Sequence, residues 1–206
     1  MCSSDLLVKD AQQQYRADIR IHLGFELDYI EGFEAATTHF LNEYGPVIDD
    51  AILSVHMLKT TDQQYVCLDY SRDEFQRIIQ LFGSVQTVYE HYFQTVKRSI
   101  LADLGPYKPT RIGHLTLVHK FQKSFPLDMI SHQSLLNELL ELLKEKDYSL
   151  DLNTAGLYKS DCQEIYPSPA IAKQALEMGI ELKPGSDSHE AATIARGFEQ
   201  LKTLLP

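Results

Sequence analysis

The run Ala51-Ile52-Leu53-Ser54-Val55-His56 is almost wholly apolar. Such a run suits a β-strand buried on both faces, the pattern of a parallel sheet covered by helices. Upstream, Ile19-Arg20-Ile21-His22-Leu23-Gly24-Phe25-Glu26 alternates and is rich in β-formers, which predicts a strand ending at Glu26. Between the two, Glu31 to Tyr44 reads as a helix stopped by Gly45-Pro46. A short, weakly amphipathic helix over Ser3 to Gln14, with Ser4 or Asp5 able to cap it, precedes them.

Downstream the alternation continues. Met57 to Ser71 is polar and reads as a loop or small excursion over one end. Asp73 to Phe82 is helical. A second helix starts from a Ser84 cap and carries Val85, Val88, Tyr89, Tyr92, Val96 and Ile100 toward Leu104 before Gly105-Pro106 closes it. Arg111 to Val118 is a strand candidate, Gln133 to Lys146 a Leu-rich helix, and Tyr148 to Asn153 a strand. Ser168-Pro169 opens a further helix, with Gly179 placed for a left-handed C-cap. The last apolar run, Ile180-Glu181-Leu182, leads to Lys183-Pro184-Gly185-Ser186-Asp187-Ser188-His189. A final helix is expected from Glu190 to Leu204. Five strands interleaved with helices predict a parallel α/β sheet or barrel. No repeat or linker divides residues 1–206, so the reading is a single domain.

Composition sets the function classes. The chain has 206 residues, 44% of them hydrophobic and 23% charged, enough for a substantial core. A formal charge of −10 argues against a broad nucleic-acid or anionic-membrane footprint. Cys2, Cys67 and Cys162 are scattered without a CxxC pair and read as free thiols in a reducing cytoplasm. No apolar stretch approaches the ~20 residues that span a bilayer. The sequence carries no signal of oligomeric state.

The polar residues at the strand ends carry the chemistry. Glu26, His56, Asn153 and the Asp187/His189 pair fall at or just past the C-terminal ends of apolar runs, and His114 follows a glycine inside its run. Asp and His two apart in extended backbone point to one side. Gly185 allows a tight turn before them, and Pro184 interrupts the ladder. Parallel barrels build their sites at that rim, and His, Asp and Glu together suit Zn, Mn or Fe. Each residue also admits a structural role, Glu26 as a helix cap and His56 or His114 as a core histidine. Together, five strands presenting such groups at one rim favour a metal cluster. His22, His39, His91 and His132 have no partner pattern and read as structural or exposed.

Gly24-Phe25-Glu26-Leu27-Asp28-Tyr29-Ile30, Leu41-Asn42-Glu43-Tyr44-Gly45-Pro46, Ser54-Val55-His56 and Arg111-Ile112-Gly113-His114-Leu115 resemble the polymerase-and-histidinol-phosphatase (PHP) superfamily. Asn153-Thr154-Ala155-Gly156-Leu157 and Gly185-Ser186-Asp187-Ser188-His189 extend the likeness. The resemblance runs from Tyr15 onward and is greatest to its monofunctional histidinol-phosphate phosphatases. It implies a distorted barrel of seven parallel strands and up to three divalent metals (Zn, Mn or Fe). It also implies hydrolysis of a small phosphate ester, L-histidinol phosphate, in histidine biosynthesis. Metal ligands carried over by the resemblance are Glu26, as the bridging carboxylate, with His56, His114, Asp187 and His189. Asp187 or His189 would pass a proton to the leaving alkoxide.

The sequence departs from the family in two ways. No His-x-His occurs, which implies a barrel incomplete at its N-terminus, lacking its first strands. Where the family leads one to expect arginines at the phosphate, this chain has His119 and Tyr158. The neighbouring Lys120 and Lys159, with Asn153 and His119, are then the substrate-binding candidates, the lysines acting as point charges without a bidentate fork. The alternatives are an inactive PHP-fold remnant, or a phosphoesterase for another small ester.

Overall fold

Parallel pairing begins where Gly24 meets Asp50, and from that register the sheet grows in one direction. The computed structural model describes residues 3–128 and 132–204. In chain order these form α1 (Ser3–Gln14), β1 (Gly24–Asp28), α2 (Glu34–Tyr44), β2 (Asp50–Ser54), β3 (Met57–Lys59) and β4 (Tyr65–Cys67). Then come α3 (Arg72–Phe82), α4 (Val85–Leu101), β5 (Arg111–Ile112), α5 (Gln133–Glu145), β6 (Ser149–Asn153), α6 (Pro169–Glu177), β7 (Leu182–Gly185) and α7 (Phe198–Leu201). The main sheet has the order β1-β2-β5-β6-β7, every pair parallel. β3 and β4 form a separate antiparallel hairpin.

The two faces of the sheet differ because alternate residues point to opposite sides. Leu53, Ile112, Leu150, Leu152 and Leu182 join one apolar cluster with Phe75 and Ile78 of α3, Tyr92 and Val96 of α4, Leu139 and Leu140 of α5 and Ile171 of α6. The opposite face is polar. Arg111 Nη2 lies 2.8 Å from Asp50 Oδ2 across it. The Gly113 and Gly185 backbones on this face abut Ser54 and Asp151. Helices on one face and charge on the other aim the site residues at a single concave surface.

Several elements differ from expectation, each for a local reason. Ile19 to Leu23 is not strand: Gln12 Nε2 bonds the Ile21 carbonyl and Asp49 Oδ2 accepts from Leu23 N, so pairing starts only at Gly24. α2 starts at Glu34, not Glu31, because Gly32 takes φ +92° and donates its N–H to the Glu34 carboxylate. β2 stops at Ser54, leaving His56 beyond the ladder. The Met57–Ser71 excursion contains the hairpin. Ser71 caps α3 by accepting from Glu74 N at 3.1 Å, and Ser84 caps α4 through Thr87 N. α4 ends at Leu101, with Lys108 Nζ bonding the Ile100 and Ala102 carbonyls. The Arg111–Val118 run holds only two strand residues, since the chain leaves the sheet at Gly113 and His114 (φ +21°).

Pro184 does not end β7 but sits inside it, paired with Leu152, tolerated because β7 is an edge strand. Gly185 is also within β7. It is needed for space, because a Cβ there would lie 2.3 Å from Asp151 Oδ1. The turn expected at Gly185 comes instead at Asp187, where φ is +50°. No continuous helix runs from Glu190 to Leu204: Ala195 (φ +58°) and Gly197 (φ +85°) break it into a 3-10 turn, Ala191–Thr193, and α7.

Candidate metal centre

Glu26 sits in β1, His56 two residues past β2 and His114 two residues past β5, three adjacent strands of the sheet. Their nearest ligand atoms all lie within 4.8 Å of one another. His114 Nε2 is 2.8 Å and His56 Nε2 3.8 Å from the same oxygen, Glu26 Oε1. The two imidazole rings meet edge to face, 4.7 Å between centroids. His114 is buried, and the Glu26 side chain stays 39% exposed at the mouth. Burial alone would raise the Glu26 carboxyl. The His114 ring bonded to it, helped by the Ser54 hydroxyl and His56, outweighs burial and holds it down at about 2. The group is therefore a carboxylate ready to ligate at neutral pH.

These residues open into a cavity of about 230 Å³ lined also by Asp69, Lys120, Lys159, Tyr166, Asp187 and His189. Asp187 and His189 reach it without extended backbone, His189 Nδ1 lying 3.9 Å from Asp187 Oδ1 and its side chain 86% exposed. Five of the expected residues thus face one space: Glu26, His56, His114, Asp187 and His189. Two carboxylate types and imidazoles around one open position suit Zn, Mn or Fe, so the residues present fit a divalent metal.

The substrate-binding expectations divide. Lys120 and Lys159 line the cavity. Lys120 Nζ bonds Asp69 twice, at 2.9 Å to Oδ2 and 2.5 Å to the carbonyl. Burial would raise Asp69, but Lys120 overrides it and keeps the carboxyl low. His119 is fully buried, with Nδ1 2.9 Å from Glu164 Oε1 and its ring stacked on Tyr89. It is outside the cavity lining, because neighbours in the 3-10 turn Leu117–Phe121 point about 120° apart. Asn153 is also withdrawn. Its Nδ2 donates to Asp151 Oδ2 and its Oδ1 accepts from Ala155 N, both at 2.9 Å, so it shapes the turn after β6. Tyr158 stands where an arginine was expected, and the Arg196 guanidinium lies 3.4 Å over its ring. Of the histidines left without a role, His132 is fully buried against Tyr89 and His39 pairs with Glu43 on the surface.

Sequence reasoning missed Asp28 and Asp69. Asp28 had a signal, since it follows Glu26 by two on an alternating strand. Asp69 had none, because the β3–β4 hairpin alone brings it to the rim. It also missed Asp151, a buried carboxyl pushed up by burial despite its bond from Asn153.

Gly113 fixes how closely β5 approaches β2. A Cβ there would lie 2.1 Å from Ser54 Oγ and 2.8 Å from Ile52 Cγ2. Gly113→Ala is expected to cost about 1–3 kcal/mol of stability, measured by urea unfolding. It should also weaken metal binding by displacing His114.

The PHP domain profile matches residues 2–155. A histidinol-phosphatase of Bacillus subtilis (strain 168) is 42% identical over 193 residues, covering 93% of this chain and 72% of the relative. A Listeria monocytogenes protein assigned as a histidinol phosphatase superposes with a TM-score of 0.91 at 40% identity, over 97% of this chain and 77% of the other. The histidinol phosphate phosphatase of Lactococcus lactis, solved with zinc, L-histidinol and phosphate, shares the fold with a TM-score of 0.71 at 16% identity. That match covers 97% of this chain and 72% of that one. Identity and coverage of this extent place the chain in the PHP family, among its histidinol-phosphatases.

Proposed function

We propose that the chain is a divalent-metal-dependent phosphomonoesterase that hydrolyses L-histidinol phosphate to L-histidinol and phosphate. The observation that carries this is the convergence of Glu26, His56 and His114 within 4.8 Å at a cavity that also holds Asp187, His189 and two lysines. The likeness to histidinol-phosphatases supplies the substrate. Glu26, His56, His114, Asp187 and His189 would hold the metal. When bound, it supplies Lewis-acid stabilisation of phosphoryl charge and makes water a better nucleophile near neutral pH.

The chain's own residues do the rest. Lys159, exposed at the rim, and Lys120, held by Asp69, draw the phosphate in and neutralise part of its charge. Asp187 and His189 line the same cavity, and one of them would pass a proton to the leaving alkoxide. Lys120→Ala is expected to raise KM roughly tenfold, about 1.4 kcal/mol, consistent with losing one charge-assisted bond, read from initial rates of phosphate release. His189→Ala that leaves turnover unchanged in a metal-replete sample removes the proton-transfer role from this pair.

We further take residues 1–206 as one cytoplasmic phosphatase domain. Free Cys67 and Cys162 agree with a reducing compartment, and among the described residues no helix is long and apolar enough to cross a membrane. The fold would be a seven-stranded barrel whose closing strands lie beyond the five described. β1 and β7 are the edges such strands would join. Among the described residues these edges have no strand partner on their outer side, which also favours a second reading, a PHP-fold chain that is inactive until its sheet is completed. Elemental analysis of the purified chain, with phosphate release from L-histidinol phosphate and from other monoesters, separates the two. Metal with selective turnover supports the phosphatase. A metal-free, inactive sample supports the second reading.

A further inference from the structure

The register of β1 on β2 sets Asp28 beside Ser54, and two residues later the chain presents His56. His56 consequently meets a carboxylate at each ring nitrogen. Nδ1 lies 2.5 Å from Asp28 Oδ1, and Nε2 lies 3.8 Å from Glu26 Oε1. A neutral imidazole carries its proton on one nitrogen and offers a lone pair on the other, and the partner of the first decides which is free. A carboxylate on the Nδ1 side holds the proton there. The Nε2 lone pair is then directed at the space shared with Glu26 and His114.

We infer that Asp28 is a positioning residue of the metal centre, fixing His56 in the Nδ1–H tautomer and aiming Nε2 at the metal. The inference rests on the metal reading proposed above. Asp28 is not itself placed as a ligand: the convergent cluster among the described residues is Glu26, His56 and His114, and the near Asp28 oxygen is engaged on the far side of the His56 ring.

The test uses the full chain labelled with 15N-histidine. Two-bond proton–nitrogen spectra of the zinc-free protein, at mildly alkaline pH, should show His56 protonated at Nδ1. Zinc affinity, measured by competition with a chromogenic chelator, should fall about 10–100-fold in Asp28→Asn, the range typical of removing a carboxylate behind a metal-bound histidine. It should fall further in His56→Ala. An Nε2–H tautomer in the wild-type chain overturns the inference, and that measurement needs no variant to fold. So does an Asp28→Asn affinity equal to wild type. An Asp28→Asn loss as large as that of Glu26→Gln also overturns it, because Asp28 would then be a direct ligand. A wild-type chain that binds no zinc sinks the metal reading and the inference together, whereas zinc binding indifferent to Asp28→Asn sinks the inference alone.

Discussion

Replacing Glu26 with Gln is expected to lower kcat/KM for histidinol phosphate by at least about 100-fold, the upper end of what even an outer partner of a metal ligand costs. Both imidazoles face the same Glu26 oxygen, at 2.8 Å from His114 and 3.8 Å from His56. The substitution keeps the volume and removes the charge, so the two rings lose their common anion. The loss should appear in metal content as well as in rate. A chelator should abolish activity in the wild-type chain, and added zinc should restore it. Full zinc occupancy and near-native turnover in Glu26→Gln would mean that the cluster is not the seat of the reaction.

Phe75→Ala is expected to destabilise the chain by about 3–5 kcal/mol, the usual cost of emptying a buried aromatic site. Phe75 is 1% exposed, and its ring centroid lies 5.5 Å from those of both Phe121 and Phe125. It ties α3 to the turn that carries Lys120, so packing and site share one contact. Typical domains are stable by only about 5–15 kcal/mol, and the loss should be plain in a urea midpoint. Leu81→Ala on the same helix is the control. Leu81 is 51% exposed, and its removal should cost less than about 0.5 kcal/mol. Equal losses in the two variants would show that the core does not run through Phe75.

The parallel sheet was legible because Ala51-Ile52-Leu53 is an apolar run, and the observed β2 lies between β1 and β5. The expected burial of both faces does not hold, because Leu53 is buried under the helices whereas Ile52, on the polar face, is only half-buried. The start of α4 was legible because the Ser84 side chain caps it locally, whereas the cap that Ser71 gives α3 was not read from the sequence. Local chemistry did not set the remaining boundaries. The alternation of Ile19 to Leu23 is that of a strand, yet side chains distant in sequence, Gln12 and Asp49, claim its backbone groups first. The apolar run after Arg111 leaves the sheet after two residues because Gly113 must pass against Ser54.

The site divides in the same way. Residue type and position in or at the ends of apolar runs pointed to Glu26, His56, His114, Asn153, Asp187 and His189, and all of these but Asn153 line the cavity. Only the tertiary structure decided which residues serve them. His119 and Lys120 are neighbours in sequence, yet one turn buries the first against Glu164 and turns the second to the cavity. Asn153 is consumed by its own turn. Asp69 enters the cavity through a hairpin that its polar sequence does not announce. Asp28 reaches His56, 28 residues further along the chain, because β1 and β2 pair in a register that sets Asp28 beside Ser54. Strand-end chemistry is a local property and can be read from the chain. Distance between side chains on separate strands is set by register and packing, which the three-dimensional fold alone supplies.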